Sequence, residues 1–192
     1  MKKIVLIGGG GHCKSVIDVI EQESIFEIVG IVDKPDQLGS KILGYPVIGN
    51  DLDLKNLAKK YKYALITVGQ IKSALLRIKL FNLAIESGFL MPSIVSPNAY
   101  LSKHSKIGKG TIVMHKAIIN ANTFIGDNCI INSKSLIEHD CLILNHCHIS
   151  TNVTINGGVR VESQSFIGSR VIASNNIIIK ENSFIKAGSL LK

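Results

Sequence analysis

From Val95 to Leu191 an aliphatic residue, once an alanine, returns at every sixth position without a slip. The series runs Val95, Leu101, Ile107, Val113, Ile119, Ile125, Ile131, Ile137, Ile143, Ile149, Ile155, Val161, Ile167, Ala173, Ile179, Ile185, Leu191, seventeen consecutive hits. A period of six matches neither a helix nor a free strand, so it describes a repeated structural unit. Four residues after most of these aliphatics comes a small or slim residue, as at Thr111, Ala117, Thr123, Cys129, Ser135, Cys141, Cys147, Val153, Val159, Ser165 and Val171. Large side chains at one inward corner and small ones at the next fill a narrow triangular prism. Repeats of this kind stack into a parallel β-helix, each coil burying its neighbour's apolar face. Residues 91–192 are therefore predicted to form a hexapeptide β-solenoid.

The first ninety residues follow another rhythm. Lys3 to Ile7 is a short apolar run typical of a buried parallel strand. It ends in Gly8-Gly9-Gly10-Gly11-His12, and the next residues, Ser15 to Ile20, have helical spacing. A second run, Ile28 to Val32, ends in Asp33-Lys34; a third, Tyr63 to Val68, ends in Gly69, and Ser73 to Ser87 reads as an amphipathic helix. Strands alternating with helices predict a small three-layer, Rossmann-like βαβαβ domain over residues 1–90 with a parallel sheet. Ligands of such sheets bind at the carboxyl ends of the strands, where Gly8 to His12, Asp33, Lys34 and Gly69 fall. The prolines in Met91-Pro92-Ser93-Ile94-Val95-Ser96-Pro97 mark the change of period.

Glycines without Cβ atoms let a phosphate approach several backbone N–H groups beside a helix N-terminus. The run overlaps the dinucleotide fingerprint through Gly8 and Gly10, but Cys13 stands where the third glycine belongs. A nicotinamide domain also needs about twice this many strands. A nucleotide or nucleotide-sugar is the better ligand, with Asp33 accepting from a ribose hydroxyl or a base N–H. The competing reading is a plain tight turn between strand and helix.

Composition narrows the classes. A net charge of +8 favours phosphate-bearing ligands. The lysines look scattered and aromatics are only 5%, so no nucleic-acid partner is expected. No apolar run is long enough for a membrane span, and Met1-Lys2-Lys3 leads straight into a strand, so a cytoplasmic protein without membrane insertion is expected. Cys129, Cys141 and Cys147 fall in the small inward column, which makes them reduced core residues; no zinc spacing is present and no metal is expected.

With three hexapeptides per turn, a residue's vertical neighbours lie eighteen positions away. This ruler singles out Glu138-His139-Asp140. His139 projects from the prism between Ala121 and Gly157, small residues that leave a notch around one imidazole with carboxylates beside it. A histidine next to a carboxylate is a minimal general base. The alternative is a solvated histidine on a solenoid face. His148 and His12 are weaker candidates, and His104, His115 and His146 read as surface residues.

The Gly-Gly-Gly-Gly-His α/β domain followed by a hexapeptide solenoid resembles the NeuD/PglD group of bacterial sugar acetyltransferases, within the left-handed β-helix acyltransferases. The most specific element is Asn132-Ser133-Lys134-Ser135-Leu136-Ile137-Glu138-His139-Asp140-Cys141, followed by His148-Ile149-Ser150 and Asn156-Gly157-Gly158. The resemblance implies a left-handed β-helix, acetyl-CoA as co-substrate, and a homotrimer with active sites between solenoids. It makes His139 the general base, assisted by Asp140 where the family usually has glutamate, with Glu138 as the fallback. It puts His148, Gly157 and Gly158 along the acetyl-CoA groove and Asn132 near the sugar, and gives the glycine loop, His12 and Asp33 to a nucleotide. Family chains commonly finish with a Gly-x-Pro-Ala-Lys-like segment over the CoA site; this sequence runs in register to Leu190-Leu191-Lys192, so the expectation is either less cover for the CoA tail or a shortened sequence.

The expected reaction is direct acetyl transfer to the amine of a UDP- or dTDP-linked 4-amino-4,6-dideoxy sugar, with a backbone N–H of Gly157 or Gly158 stabilising the oxyanion. O-acetylation of sialic acid is the alternative acceptor chemistry. From other classes come a catalytically inactive nucleotide-binding solenoid and, more remotely, an oxidoreductase.

Overall fold

In the computed structural model, which describes residues 1–192, the chain divides into two compact units: Met1–Gly69 with Leu75–Pro92, and Gln70–Ala74 with Ser93–Lys192. The first unit runs β1 (Lys2–Ile7), α1 (Gly11–Glu23), β2 (Phe26–Val32), β3 (Lys41–Ile42), β4 (Tyr45–Gly49), α2 (Leu54–Ala58), β5 (Tyr63–Ile66) and α3 (Leu75–Glu86). Its sheet has the order β3-β4-β2-β1-β5, parallel except for the short β3. Side chains alternate across the buried strand β1. Val5 and Ile7 pack with Leu54 of α2 and Leu80, Phe81 and Ala84 of α3. Ile4 and Leu6 point to the opposite face and are fully buried, as are Val16, Ile17, Val19 and Ile20 of α1.

Two expectations change here. β3, β4 and α2 were not legible, because their apolar residues are few and Pro46 interrupts the strand pattern. The helix predicted over Ser73 to Ser87 starts at Leu75, and it is not cleanly amphipathic: Leu75 and Leu76 are exposed, whereas Arg77 is buried with its guanidinium donating to the carbonyls of Ile66 (2.8 Å) and Val68 (2.7 Å).

The second unit is a left-handed parallel β-helix. Two-residue strands from Ile94–Val95 to Leu190–Leu191 form three parallel sheets of six, five and six strands. Pairs lie eighteen residues apart, as in Ile118↔Leu136 and Leu136↔Thr154. The aliphatic column is the core, with Val113, Ile119, Ile125, Ile131, Ile137, Ile143, Ile149 and Ile155 all at 0% exposure. The small column does more than fill space. Thr111, Thr123, Cys129, Cys141, Cys147 and Ser165 each donate to a carbonyl fifteen residues ahead, for example Thr123 Oγ1 to Glu138 O (2.7 Å) and Cys141 Sγ to Asn156 O (3.2 Å). Hydroxyls and thiols alternate with Ala and Val there because each inward donor satisfies a carbonyl that the turn leaves over.

The turns are equally regular. Every sixth residue from Gly110 to Gly188 has a left-handed backbone, with φ between 54° and 71° from Gly110 to Asn182, mostly at residues other than glycine. Asparagine and aspartate tolerate this region best, which accounts for Asn122, Asn128, Asp140, Asn152, Asn176 and Asn182. Lys116, Lys134 and Arg170 occupy this position in one vertical column after one sheet, with Asn152 between the last two, so part of the basic charge is gathered in a column after all.

Candidate functional site

Glu138, His139 and Asp140 form the turn after the strand Leu136–Ile137. Asp140 takes the left-handed corner at φ 61° and donates its N–H to Ala121 O (3.1 Å). Backbone direction there turns the carboxylate back on the preceding side chain: His139 Nδ1 lies 2.7 Å from Asp140 Oδ2, with the two side chains 62% and 54% exposed. A carboxylate only accepts, so Nδ1 carries the proton and Nε2 presents its lone pair. Asp140 Oδ1 accepts from Asn122 Nδ2 (2.6 Å) in the coil below. The hydrogen bond from Asn122, then that from His139, holds the Asp140 carboxyl below its ordinary value. Glu138 is occupied elsewhere, its Oε2 accepting from Asn120 Nδ2 (2.8 Å). Asp140, not Glu138, is thus the partner of His139.

The notch between Ala121 and Gly157 is not empty. The His139 ring leans over Gly157, where a Cβ would meet Cε1 at 2.7 Å and Nε2 at 2.9 Å. Gly157 is therefore the floor under the imidazole. Of the two expected oxyanion donors, Gly158 is excluded: its N–H donates to His139 O (3.0 Å). The Gly157 N–H takes no part in the backbone ladder around it.

His148 departs from expectation. It is only 7% exposed, its Nδ1 hydrogen-bonds to the carbonyl of Gln70, and its ring meets Phe166 edge-on at 5.2 Å. Nδ1 must be the donor, which leaves Nε2 to accept from Asn132 Nδ2 at 3.4 Å. Asn132 Oδ1 accepts from Ser133 N (2.8 Å). His148 therefore orients Asn132 from within and does not line an open groove. Gln70, itself 2% exposed, also donates from Nε2 to His146 O (2.8 Å). His146 and His115, expected on the surface, are half-buried, paired with Asn128 (3.0 Å) and Ser96 (2.7 Å) respectively.

In the first unit, Gly8, Asp33 and Lys34 line a cleft of about 460 Å³ at the carboxyl ends of the strands, together with Ile7, Val32, Pro35, Asn50, Asp51, Leu52, Val68, Leu76 and Leu80. Asp33 braces the loop, Oδ2 accepting from Gly9 N (3.1 Å) and Oδ1 from Lys34 N (2.9 Å). A side chain at Gly9 would collide with that carboxylate, and one at Gly8 (φ 106°) with Val68. Gly10 caps α1 without a side chain, and the first turn has no acidic residue, so the N–H groups at this end are open to an anion. His12 lies in that turn, where a Cβ added at Gly69 would stand 3.7 Å from the His12 Cβ. All four cysteines are buried and free. Burial pushes the Cys13 thiol up to about 11. No group of three or more His, Cys, Asp or Glu side chains is placed to hold a metal, and no helix is long and apolar enough to cross a membrane.

Sequence reasoning missed Asn120, Asn122 and Asn50 to Leu52. The first two lie eighteen residues before Glu138 and Asp140, so the ruler applied to His139 would have found them.

Residues 3–82 match the PglD N-terminal domain family, and residues 122–157 match the bacterial transferase hexapeptide (six repeats) family. Among solved structures, PerB from Caulobacter crescentus in complex with CoA and GDP-perosamine is 32% identical, covers 100% of this chain and 89% of its own, and superposes with a TM-score of 0.92. The acetyltransferase domain of PglB from Neisseria gonorrhoeae in complex with acetyl coenzyme A is 28% identical, with 99% and 92% coverage and a TM-score of 0.91. A histidine-to-alanine mutant of GDP-perosamine N-acetyl transferase from Caulobacter crescentus, with CoA and GDP-perosamine, is 29% identical, with 99% and 93% coverage and a TM-score of 0.82. No curated protein matches the chain significantly.

Proposed function

This chain belongs to the NeuD/PglD-type family of sugar acetyltransferases, and on that premise we propose that it N-acetylates a nucleotide-linked 4-amino-4,6-dideoxy sugar with acetyl-CoA as donor. The observation that carries the reading is the His139–Asp140 pair at 2.7 Å, exposed over Gly157. With Nδ1–H fixed on Asp140, Nε2 takes a proton from the sugar amine as the amine nitrogen attacks the thioester carbonyl. The Gly157 N–H donates to the oxyanion. When the C–S bond breaks, the imidazolium returns the proton to the leaving thiolate, which leaves the base as it began. No covalent enzyme intermediate is required, since the thiols are buried.

Asn132, held by His148, lies on the sugar side of this scheme, and acetyl-CoA runs past Gly157. The glycine loop at the start of α1, with His12 and Gly69, seats the diphosphate, and the neighbouring cleft seats the nucleoside. The relatives with bound GDP-perosamine favour an amine acceptor. Self-association into a homotrimer is supported by a largely apolar outward column on one sheet, Tyr100, Ile118, Leu136, Ile172 and Leu190, interrupted only by Thr154, of which Tyr100 and Leu190 are each 57% exposed. A panel of nucleotide-linked amino sugars and free sialic acids, incubated with acetyl-CoA and read by mass spectrometry, tests the reading. An N-acetylated nucleotide sugar is expected, with turnover reduced about 10²–10⁴-fold in His139→Ala. An O-acetylated sialic acid as the only product, or near-normal turnover without His139, overturns it.

A further inference from the structure

The cleft of the first unit has walls and a rim of different chemistry. Ile7, Val32, Val68, Leu76, Leu80 and Leu52 supply apolar surface. Leu52 is 89% exposed and Leu76 56%, so apolar side chains at its edge stand in water, an arrangement suited to covering the faces of a flat ring. Its volume of about 460 Å³ lies within the range of small-ligand sites.

The polar rim separates into groups already used and groups left over. Asp33 accepts from two backbone N–H groups. Asn50 Oδ1 accepts from Leu52 N (2.9 Å), which leaves the Asn50 Nδ2 hydrogens uncommitted. Asp53 is committed as well, its Oδ2 accepting from Asn50 N (2.9 Å). The exposed Asp51 carboxylate makes no hydrogen bond or ion pair within the chain. Two consecutive residues of the lining, Asn50 and Asp51, thus carry a free amide donor and a free carboxylate.

We infer that this cleft selects guanine, so that the sugar handled by this chain is carried on guanosine diphosphate and not on a pyrimidine nucleotide. The inference rests on the nucleotide-sugar reading above and specifies its base. Guanine presents N1–H and N2–H side by side with the O6 acceptor next to them. One carboxylate accepts from both N–H groups, and an adjacent amide N–H donates to O6. Uracil and thymine place a single N3–H between two carbonyl oxygens, so a carboxylate bonded to it sets its second oxygen against a carbonyl. Adenine and cytosine each put an acceptor beside their amino group and meet the same repulsion. Gly8 lines the cleft and begins the loop that runs to the open N-terminus of α1, so a base in the cleft leaves its phosphates along that loop.

Calorimetry on the full chain with GDP, UDP and dTDP, each titrated alone, tests this. GDP is expected to bind at least about tenfold more tightly than either pyrimidine nucleotide, in keeping with bidentate base discrimination. Asp51→Asn, an exposed change that replaces an acceptor with a donor, should remove that preference and leave UDP affinity within about threefold. UDP or dTDP binding as tightly as GDP, or a GDP preference that survives Asp51→Asn, overturns the inference while the nucleotide-sugar reading stands. Binding of none of the three overturns both.

Discussion

Replacing Gly157 with alanine isolates the role of the floor beneath His139. The backbone permits the change, because Gly157 lies outside the left-handed region, and its N–H is retained. The new methyl would stand 2.7 Å from His139 Cε1, 2.9 Å from Nε2 and 3.3 Å from Nδ1. Carbon contacts are comfortable at about 3.5–4.0 Å, so the ring must retreat by about 1 Å. That is enough to spoil the 2.7 Å bond to Asp140 and the aim of Nε2. A misplacement of this size costs on the order of 10²-fold in turnover, about 2.7 kcal/mol of transition-state stabilisation. The assay is release of free CoA thiol, with kcat and KM resolved, beside a thermal unfolding curve. Gly157→Ala should lower kcat about 10²-fold with the melting midpoint nearly unchanged. In a His139→Ala background the methyl has room, so the same substitution should change the residual rate by less than about twofold. Near-normal kcat in the single mutant, or equal losses in both backgrounds, would refute the reasoning.

Two further outcomes follow from the same geometry. Asn122→Ala removes the first support of the Asp140 carboxylate, so its titration midpoint, read by carboxyl ¹³C NMR, should rise toward 3.8 and kcat should fall with little change in KM. Because the folded value is depressed, the stability linked to Asp140 is present above its ordinary pKa and is lost as pH falls through the lowered one; an unmoved midpoint would remove Asn122 from the relay. The four thiols should resist a thiol-specific reagent in the native chain and react on unfolding, since all are buried and burial pushes Cys13 and Cys141 up; rapid labelling of folded protein would contradict the burial of Cys13 in α1 or the inward register of the other three.

The solenoid was legible because one side-chain column repeats without interruption, and burial leaves that column no freedom to vary. The same logic set Cys129, Cys141 and Cys147 inward and found His139 through its small vertical neighbours. What escaped were relations that need coordinates rather than period. Nothing in a one-dimensional pattern says that Asn122 reaches Asp140 while Asn120 takes Glu138, or that the Gln70 carbonyl occupies His148. In the first unit the long apolar strands were readable, but β4, α2 and the rim residues Asn50 to Leu52 were not. Their positions follow from pairing and capping, as in the Asn50–Asp53 capping box, and not from hydrophobic spacing.

The left-handed corner at every sixth residue also makes chain length in this half a quantised variable. Losing or gaining one residue would carry each later corner residue off its left-handed position and each inward aliphatic out toward water. Gaining six would restore the corners but rotate everything beyond it by one side of the prism, away from its former vertical partners. Only eighteen returns both. A lineage of such chains can therefore lengthen or shorten by whole coils above or below His139, while the coils holding Asn122, Asp140 and Gly157 pass on as one block.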